Sequence, residues 1–176
     1  MTTIEDPSPI CLRLDSAMKT LELGQLFAKT LTGGSILALT GELGSGKTQF
    51  TRGVGIGLGI PEDHITSPTF TLIQEYPASI PLIHIDLYRL ETQADVQSLG
   101  LSEYFQEPYI VIIEWADRMH RALPSDHLRL QFTHGEHQEI RLVDIQGTGL
   151  QSRGSLNHLN ALLSENSRDG FPHMGR

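Results

Sequence analysis

Short apolar runs alternate with amphipathic stretches along most of the chain. Runs in which apolar residues alternate or cluster predict strands, and apolar residues spaced three and four apart predict helices. The predicted strands cover residues 10–14, 35–40, 69–76, 82–87, 109–113, 127–132 and 139–145. The first predicted helix begins at a cap at residue 15 or 16 and is stopped by the glycines at 33–34. The other predicted helices cover residues 47–58, 92–105 with a break near 100, and 156–163. The alternation of strands and helices indicates an α/β domain.

The same pattern divides the chain into three segments. Residues 1–9 contain prolines and acidic residues without periodicity, which predicts a flexible N-terminal lead. All the predicted strands lie within one domain at 10–147, and 148–176 form a C-terminal extension that is partly helical and then mobile. The last two predicted strands form an antiparallel hairpin, which we expect at the edge of the sheet.

Residues 41–48 read Gly-Glu-Leu-Gly-Ser-Gly-Lys-Thr and fit the pattern G-x-x-x-x-G-K-S/T, between a predicted strand and a predicted helix. In such a phosphate-binding loop the backbone N–H groups surround phosphate oxygens, the lysine reaches the β- and γ-phosphates, and the last hydroxyl binds Mg²⁺. The residues expected to contact a nucleotide are Glu42, Leu43, Gly44, Ser45, Gly46, Lys47, Thr48 and Gln49. The predicted fold class is therefore an α/β, P-loop NTPase-like three-layer domain with a mixed, largely parallel sheet and an antiparallel C-terminal hairpin.

Hydrolysis needs a second acidic group near Mg²⁺ in addition to the phosphate loop. Glu114 directly follows the most apolar strand, which is where that acid belongs in a P-loop protein. We expect it to hold Mg²⁺ together with Thr48, or to polarise the attacking water. The alternative is an ordinary strand-end carboxylate.

A second polar group follows from period-2 alternation in the strand at 82–87. His84, Asp86 and Tyr88 share one face of that strand, and polar groups in an interior strand are costly unless they serve a site. We expect Asp86 to orient water or to complete the Mg²⁺ shell, with His84 as an orienting hydrogen-bond partner. Arg89 is expected either to contact phosphate or to form an ordinary ion pair.

Two further features lie near these acids. The sequence Ser67-Pro68-Thr69 precedes a strand and is typical of a switch segment in which Thr69 approaches Mg²⁺ or the γ-phosphate; alternatively, Pro68 only fixes the entry to the strand. Trp115 follows Glu114 and is expected on the opposite side of the strand's end, as part of the core, a wall of the nucleotide site or a partner contact.

The composition of the chain limits the classes of function that remain. Thirteen basic and 21 acidic side chains give a net charge of −8, which argues against a broad nucleic-acid surface, so neither DNA nor direct tRNA binding is expected. A single cysteine, no secretory signal and no long apolar run predict a cytoplasmic protein without a membrane segment. His134 and His137 lack the further ligands of a zinc site. The guanine-reading sequence Asn-Lys-x-Asp is missing, which favours adenine.

Five motifs in this order resemble the TsaE (YjeE) family of small P-loop ATPases, over roughly residues 14–147. They are the phosphate loop 41–48 followed by Arg52-Gly53, then 67–76, 84–89, 100–105 and 112–116. One such motif is weak support, but five in order are specific.

The resemblance implies a slow, Mg²⁺-dependent ATPase that binds ATP or ADP and acts with the proteins TsaD and TsaB. Together they make N6-threonylcarbamoyladenosine at position 37 of tRNAs that read codons beginning with A. It further implies that Thr48 and Glu114 hold Mg²⁺, that Lys47 and Asp86 assist hydrolysis, and that Trp115 lies near the nucleotide. The carbamoyl transfer is attributed to TsaD, so tRNA is contacted only indirectly.

The chain departs from the family pattern at two places near the expected base and ribose. The family commonly has Thr or Ser near the start of its first helix, where this chain has residues 15–18, and often an Arg in the hairpin turn, where this chain has 136–138. His137 is therefore the expected contact at that end. Two other functions remain open: a nucleotide-gated binding module with incidental hydrolysis, and a small-molecule P-loop phosphotransferase, which would need an acceptor pocket and an Arg-rich lid.

Overall fold

A computed structural model describes residues 8–165 of the chain. Its strands are β1 (Ile10–Leu14), β2 (Ile36–Gly41), β3 (Ile73–Tyr76), β4 (Leu82–Asp86), β5 (Ile110–Glu114), β6 (Leu128–His134) and β7 (Arg141–Gly147). They form one sheet in the order β1-β7-β6-β2-β5-β4-β3. The central strands β6, β2, β5 and β4 run parallel to one another, and antiparallel strands flank them on both sides. The predicted mixed sheet is confirmed, with its parallel part at the centre.

Helices cover both faces of this sheet. The α-helices are α1 (Ala17–Ala28), α2 (Lys47–Gly57), α3 (Gln93–Ser98) and α4 (Leu150–Glu165), and 3₁₀ segments lie at Glu62–His64, Leu101–Tyr104 and Ala116–Ala122. One core contains side chains of α1, α2 and α4 and one face of the sheet, including Phe27, Phe50, Phe132 and Leu159. A smaller core on the other face contains Ile83, Ile113, Val96 and Met119. The result is the three-layer arrangement that the alternating pattern predicts.

The hairpin formed by β6 and β7 lies inside the sheet, so the prediction that it forms the sheet's edge is wrong. Strand β6 pairs in parallel with β2, and β7 pairs on its other side with β1. The reason is burial: Leu128, Leu130 and Phe132 of β6 all face the larger core, and the alternating apolar residues of β1 extend that core beyond β7. Among the described residues, β1 and β3 are the edge strands.

The predicted strand at 69–76 forms only from Ile73 onward. The N–H of Leu72 donates to the carbonyl of Pro68 at 2.6 Å, and Leu72 has φ of 66°, a left-handed conformation that a strand cannot contain. The chain therefore turns before β3 begins. This turn leaves Phe70 85% exposed and brings the carbonyl of Leu72 to the N–H of Asp86, at 2.9 Å.

Helices α1 and α2 approach each other so closely that glycine is required between them. A Cβ added to Gly53 would lie 2.1 Å from the carbonyl oxygen of Leu21, and one added to Gly24 would lie 2.3 Å from that of Phe50. The glycine-rich composition of the second helix therefore permits this close backbone packing. This contact fixes α2, whose first residues belong to the phosphate loop, against the rest of the core.

Helix α4 is longer than the predicted 156–163 segment because Asp126 supplies an N-terminal cap from a distant loop. Its carboxylate accepts the N–H groups of Gln151 and Ser152 at 2.8 and 3.0 Å. Burial acts to raise the pKa of Asp126, but hydrogen bonds from Ser152 and Gln151 outweigh it and lower the pKa. The helix buries Leu156, Leu159 and Leu163 in the larger core. Most of the predicted lead at 1–9 and the predicted mobile tail lie outside the described residues.

Three central strands end at the same edge of the sheet. Strand β2 ends at Gly41, β4 at Asp86 and β5 at Glu114, and parallel pairing places Asp86 directly beside Glu114. The carboxyl edge of a parallel sheet is where α/β proteins bind ligands. The phosphate loop begins at this edge, so the fold gathers the candidate residues there.

We predict that Gly53→Ala lowers the free energy of unfolding by about 1–3 kcal/mol, because the added methyl overpacks the contact between α1 and α2. Gly154→Ala is the matched control, since a Cβ there would meet nothing within 4 Å and α4 would gain about 0.5–1 kcal/mol. Urea titration with far-UV circular dichroism measures both. Equal responses of the two variants would contradict the close packing.

Candidate functional site

The loop between β2 and α2 has a backbone that only glycines adopt readily. Gly41, Gly44 and Gly46 have φ of 136°, 74° and 107°. A Cβ added to Gly41 would lie 2.2 Å from the carbonyl oxygen of Phe132, whereas one at Gly44 would meet nothing within 4 Å. Gly44 therefore borders open space, and no side chain caps the N-terminal N–H groups of α2 at Gly46. A loop of this kind at a helix N-terminus favours bound anions.

Lys47 is the first residue of α2, and its side chain folds back over the loop. The Nζ atom donates hydrogen bonds to the carbonyl oxygens of Gly41 and Glu42, at 2.7 and 2.9 Å. It also lies 4.2 Å from the ring centroid of Trp115. Burial lowers the pKa of the Lys47 ammonium below the ordinary lysine value of 10.5, and nearby carboxylates, chiefly Glu114, oppose that shift.

The Glu114 carboxylate is buried at the end of β5 and is held from two sides. The Thr48 hydroxyl of α2 donates to Oε2 at 2.9 Å, and Nε2 of His84 on β4 lies 2.8 Å from Oε1. The Thr51 hydroxyl makes a longer contact of 3.5 Å to Oε1. The predicted proximity of Thr48 and Glu114 is observed, and the pair offers one hydroxyl and one carboxylate oxygen to a cation.

Asp86 lies beside Glu114 and connects to the loop at residues 67–69. Its Oδ2 accepts a hydrogen bond from the Thr69 hydroxyl at 2.8 Å, and its Oδ1 accepts one from the Tyr88 N–H at 2.9 Å. The Thr69 hydroxyl is also 2.7 Å from that of Ser67. The loop predicted to be a switch thus reaches the candidate site through Thr69.

A cavity of about 260 Å³ opens between these elements. It is lined by Leu43, Gly44, Ser45, Gly46, Lys47, Thr48, Gln49, Thr69, Asp86, Tyr88, Glu114 and Trp115. Every predicted nucleotide-contacting residue is therefore in its wall except Glu42, whose carbonyl instead accepts from Lys47, and His137. Tyr88, which strand alternation grouped with His84 and Asp86, lies just after β4 and also lines this cavity, although no role at the site was predicted for it.

The expectation that Trp115 lies on the opposite side from Glu114 is wrong. Trp115 has φ of 59°, so the chain turns out of the strand alternation directly after β5. Its ring packs 5.0 Å from that of Tyr88, and both rings line the same cavity as Glu114. Of the three alternatives for Trp115, the structure shows two together, because Trp115 lines this cavity and also packs against the smaller core.

A second, larger cavity of about 620 Å³ lies on the other side of the phosphate loop. It is lined by Ser16, Ala17, Met18, Thr20, Gly44, Gly46, Gln49, Gln138, Glu139 and Arg141. The hairpin contributes Gln138 and Glu139 from its turn and Arg141 from the start of β7, and His137 does not line this cavity. Arg141 also donates to the carbonyl of Gly44 at 3.1 Å. No short motif marks these residues, because only the sheet order brings the hairpin beside the loop.

The remaining predictions concern residues outside these cavities. Arg89 lies 5.3 Å from the ring centroid of Phe70, a contact that neither of the two predicted roles includes. No cluster of three or more His, Cys, Asp or Glu side chains that could hold a metal ion occurs in residues 8–165. Within the same residues, no helix is long and apolar enough to cross a membrane.

The donors in this site fit an Mg²⁺–nucleotide complex. A hydroxyl and a carboxylate, at Thr48 and Glu114, are hard oxygen ligands of the kind that Mg²⁺ takes alongside phosphate oxygens. The space beside Gly44 leaves room for phosphates at the backbone N–H groups of the loop. The Lys47 ammonium supplies positive charge and a further hydrogen-bond donor. The arrangement can therefore bind a phosphate chain and a divalent cation together.

A family model and individual relatives of this chain carry the same description. The family described as "Threonylcarbamoyl adenosine biosynthesis protein TsaE" matches residues 14–142. A tRNA threonylcarbamoyladenosine biosynthesis protein TsaE of Nostoc sp. is 50% identical over 122 residues, covering 66% of this chain and 74% of that protein. The protein of the same name from Streptomyces coelicolor is 37% identical over 135 residues, covering 73% and 90%.

A solved structure agrees with these sequence matches. The crystal structure of Bacillus subtilis YdiB superimposes with a TM-score of 0.69 at 31% sequence identity. The superposition covers 92% of this chain and 96% of that one. The similarity extends beyond the matched family region and includes most of the sheet and helices described above.

We predict that the Lys47 ammonium loses its proton below pH 10.5, because burial disfavours the charged form. Glu114→Gln will lower the pKa further, because it removes the nearest charge that opposes the shift. The measurement is an NMR titration of the lysine side chains, which number three and include Lys19 and Lys29; Lys47→Arg assigns the signal. A higher Lys47 pKa in Glu114→Gln would contradict this account of the site's charges.

Proposed function

The chain belongs to the TsaE family, and from that premise we propose that it is an Mg²⁺-dependent ATPase acting in the threonylcarbamoyladenosine modification of tRNA. The observation that carries the proposal is the 2.9 Å hydrogen bond from the Thr48 hydroxyl to the buried Glu114 carboxylate, beside the Lys47 ammonium. This pairing joins the phosphate loop to a strand-end acid. Phosphoryl-transfer sites of P-loop proteins are built from those parts.

The two cavities indicate where the phosphates and the nucleoside of a nucleotide would bind. Phosphates would lie against the backbone N–H groups of the loop, in the cavity that contains Lys47 and Thr48. The larger cavity adjoins the same loop through Gly44, Gly46 and Gln49, and it has room for a ribose and an adenine. We therefore assign the base and ribose to the side of α1 and the hairpin turn, with Met18 and Gln138 among their neighbours.

Each polar residue of the site has a role in hydrolysis. Lys47 would exchange the carbonyls of Gly41 and Glu42 for β- and γ-phosphate oxygens. Thr48 and Glu114 would hold Mg²⁺, which neutralises charge on the phosphates when bound. Asp86 lies next to Glu114 on the neighbouring strand and would orient the attacking water once Thr69 releases its Oδ2.

We further propose that the protein acts in the cytoplasm with TsaD and TsaB at position 37 of tRNAs that read codons beginning with A. A net charge of −8 disfavours direct tRNA binding, so partner proteins would contact the tRNA. The protein would then supply nucleotide-dependent control, and the carbamoyl transfer would occur in TsaD.

One observation favours a second candidate, a binding module that nucleotide switches and in which hydrolysis is incidental. Phe70 is 85% exposed and directly follows Thr69, which is hydrogen-bonded to Asp86. A nucleotide that displaced Thr69 from Asp86 would move Phe70 and change the surface offered to a partner. A phosphotransferase is less well supported, because Arg141 is the one arginine lining the two cavities described here.

We predict that the purified protein binds ADP and ATP with Mg²⁺ and hydrolyses ATP slowly, and that TsaD and TsaB increase turnover. Lys47→Ala will weaken ATP binding by about tenfold or more, because it removes a charged hydrogen-bond donor to phosphate. Glu114→Gln will retain ADP binding but lower hydrolysis by about 100-fold. Calorimetry and a phosphate-release assay measure these effects, and Glu91→Gln, an exposed site, is the control.

Failure to bind nucleotide at millimolar ATP would contradict the proposal. The Glu114→Ala variant, saturated with ATP and assayed with TsaD, TsaB and unmodified tRNA, separates the two candidates. Retained partner binding with loss of both hydrolysis and modification supports the ATPase. Modification that persists without hydrolysis supports the nucleotide-gated module instead.

A further inference from the structure

A fully buried histidine lies in the middle of β4, between Ile83 and Ile85. His84 is 0% exposed, and its side chain is on the same face of the sheet as α2 and Glu114. Burying an imidazole in an apolar strand costs free energy unless its polar atoms find partners. The role of His84 therefore depends on the partners of its two ring nitrogens.

The ring nitrogens of His84 have different surroundings. Nε2 lies 2.8 Å from Oε1 of Glu114, whereas Nδ1 is buried without a hydrogen-bond partner among the described residues. A carboxylate oxygen accepts a hydrogen bond, so the proton must be on Nε2. A proton on Nδ1 would have no acceptor there. The hydrogen-bond pattern thus assigns His84 as a donor to Glu114 through Nε2.

The two oxygens of Glu114 are consequently used by different elements. Oε1 faces His84, with Thr51 at the longer distance of 3.5 Å. Oε2 accepts the hydrogen bond of the Thr48 hydroxyl and faces the cavity side. Without a donor on Oε1 the carboxylate would be free to rotate about its terminal bond, which has a broad and shallow preference.

We propose that His84 is a positioning residue, which holds Oε1 of Glu114 so that Oε2 stays directed at Thr48 and the Mg²⁺ of a bound nucleotide. This inference rests on the proposed function, because it concerns the cation of the same site. His84 itself does not line the cavity that contains Lys47 and Thr48. It acts as hydrogen-bonded partners of metal-ligating carboxylates do in other proteins, whose loss lowers metal affinity or activity about 10- to 100-fold.

Two amide variants separate the hydrogen bond from simple packing. The amide nitrogen of His84→Gln can occupy the position of Nε2 and donate to Glu114, whereas that of His84→Asn corresponds to Nδ1 and falls short. Both replacements are polar and smaller than histidine, so the presence of the donor is the main difference between them. Thr51→Val is the third variant, and it removes the longer contact to the same oxygen together with the 3.0 Å hydrogen bond from the Thr51 hydroxyl to the Lys47 carbonyl.

The readout is the affinity for ADP measured by calorimetry with Mg²⁺ and again with EDTA, together with kcat and KM for ATP. We expect His84→Asn to weaken the Mg²⁺ effect on ADP affinity and to lower kcat, each by about 10- to 100-fold. ADP affinity in EDTA should be unchanged. His84→Gln should stay within about threefold of the unaltered protein, and Thr51→Val should show a smaller loss than His84→Asn because its contact is longer.

Several outcomes would overturn the positioning role. One is an Mg²⁺ effect on ADP affinity in His84→Asn that equals that of the unaltered protein. A second is a folded His84→Gln variant that loses the Mg²⁺ effect as His84→Asn does. A third is loss of ADP binding by His84→Asn in EDTA, which indicates a structural role. If circular dichroism shows that His84→Asn does not fold, the Mg²⁺ effects measured for His84→Gln and Thr51→Val alone decide the positioning role. Absence of nucleotide binding by the unaltered protein would instead overturn the proposed function, so the two failures are distinguishable.

Discussion

The buried carboxylate of Glu114 is the interaction on which the site depends. It is 2% exposed at the end of the most apolar strand, where an unpartnered charge would cost several kcal/mol. Hydrogen bonds with Thr48 on α2 and His84 on β4 stabilise it there. Those bonds are possible only if α2 begins directly above the ends of β4 and β5. The close glycine-mediated packing of α2 against α1 maintains that position.

Local features of the sequence predicted most of this site, because each depends on neighbouring residues. The phosphate loop follows from its own glycines, the common face of His84 and Asp86 from strand alternation, and the place of Glu114 from the end of an apolar run. Parallel pairing of β4 with β5 then brings the two acids together. Features that depend on distant residues do not follow from any local pattern: β6 beside β2 places Arg141 near the loop, and Asp126 extends α4. The resemblance to the family, and not a local pattern, indicated residues 136–138 as neighbours of the base and ribose, and of these Gln138 lines the larger cavity. Trp115 was misplaced because a single residue with positive φ ends the strand alternation.

The loop at 67–69 connects the site's chemistry to its surface. Thr69 is hydrogen-bonded to Asp86, and the chain then turns at Leu72, which leaves Phe70 exposed. Ser67 and Phe70 are exposed whereas Asp86 and Glu114 are buried, so a rearrangement of this segment costs less than a change in the strands that carry the acids. Buried strand ends beside an exposed loop would suit the nucleotide-gated contact with partners that is proposed above. Asp86 contacts this loop through Thr69, whereas Glu114 contacts α2 through Thr48. These different contacts are the basis for the different roles proposed for the two adjacent acids.

We propose that Lys47, Thr48 and Glu114 form one Mg²⁺–nucleotide site beside Trp115. Trp115 is the single tryptophan in the chain, and Lys47 lies 4.2 Å from its ring centroid, so its fluorescence reports on this cavity alone. Titration with ADP should produce a saturable change in that fluorescence, at lower ADP concentrations with Mg²⁺ than with EDTA, as Lys47 moves from the ring toward phosphate. Fluorescence that stays constant up to millimolar Mg²⁺–ADP, in protein shown to be folded, would contradict the account.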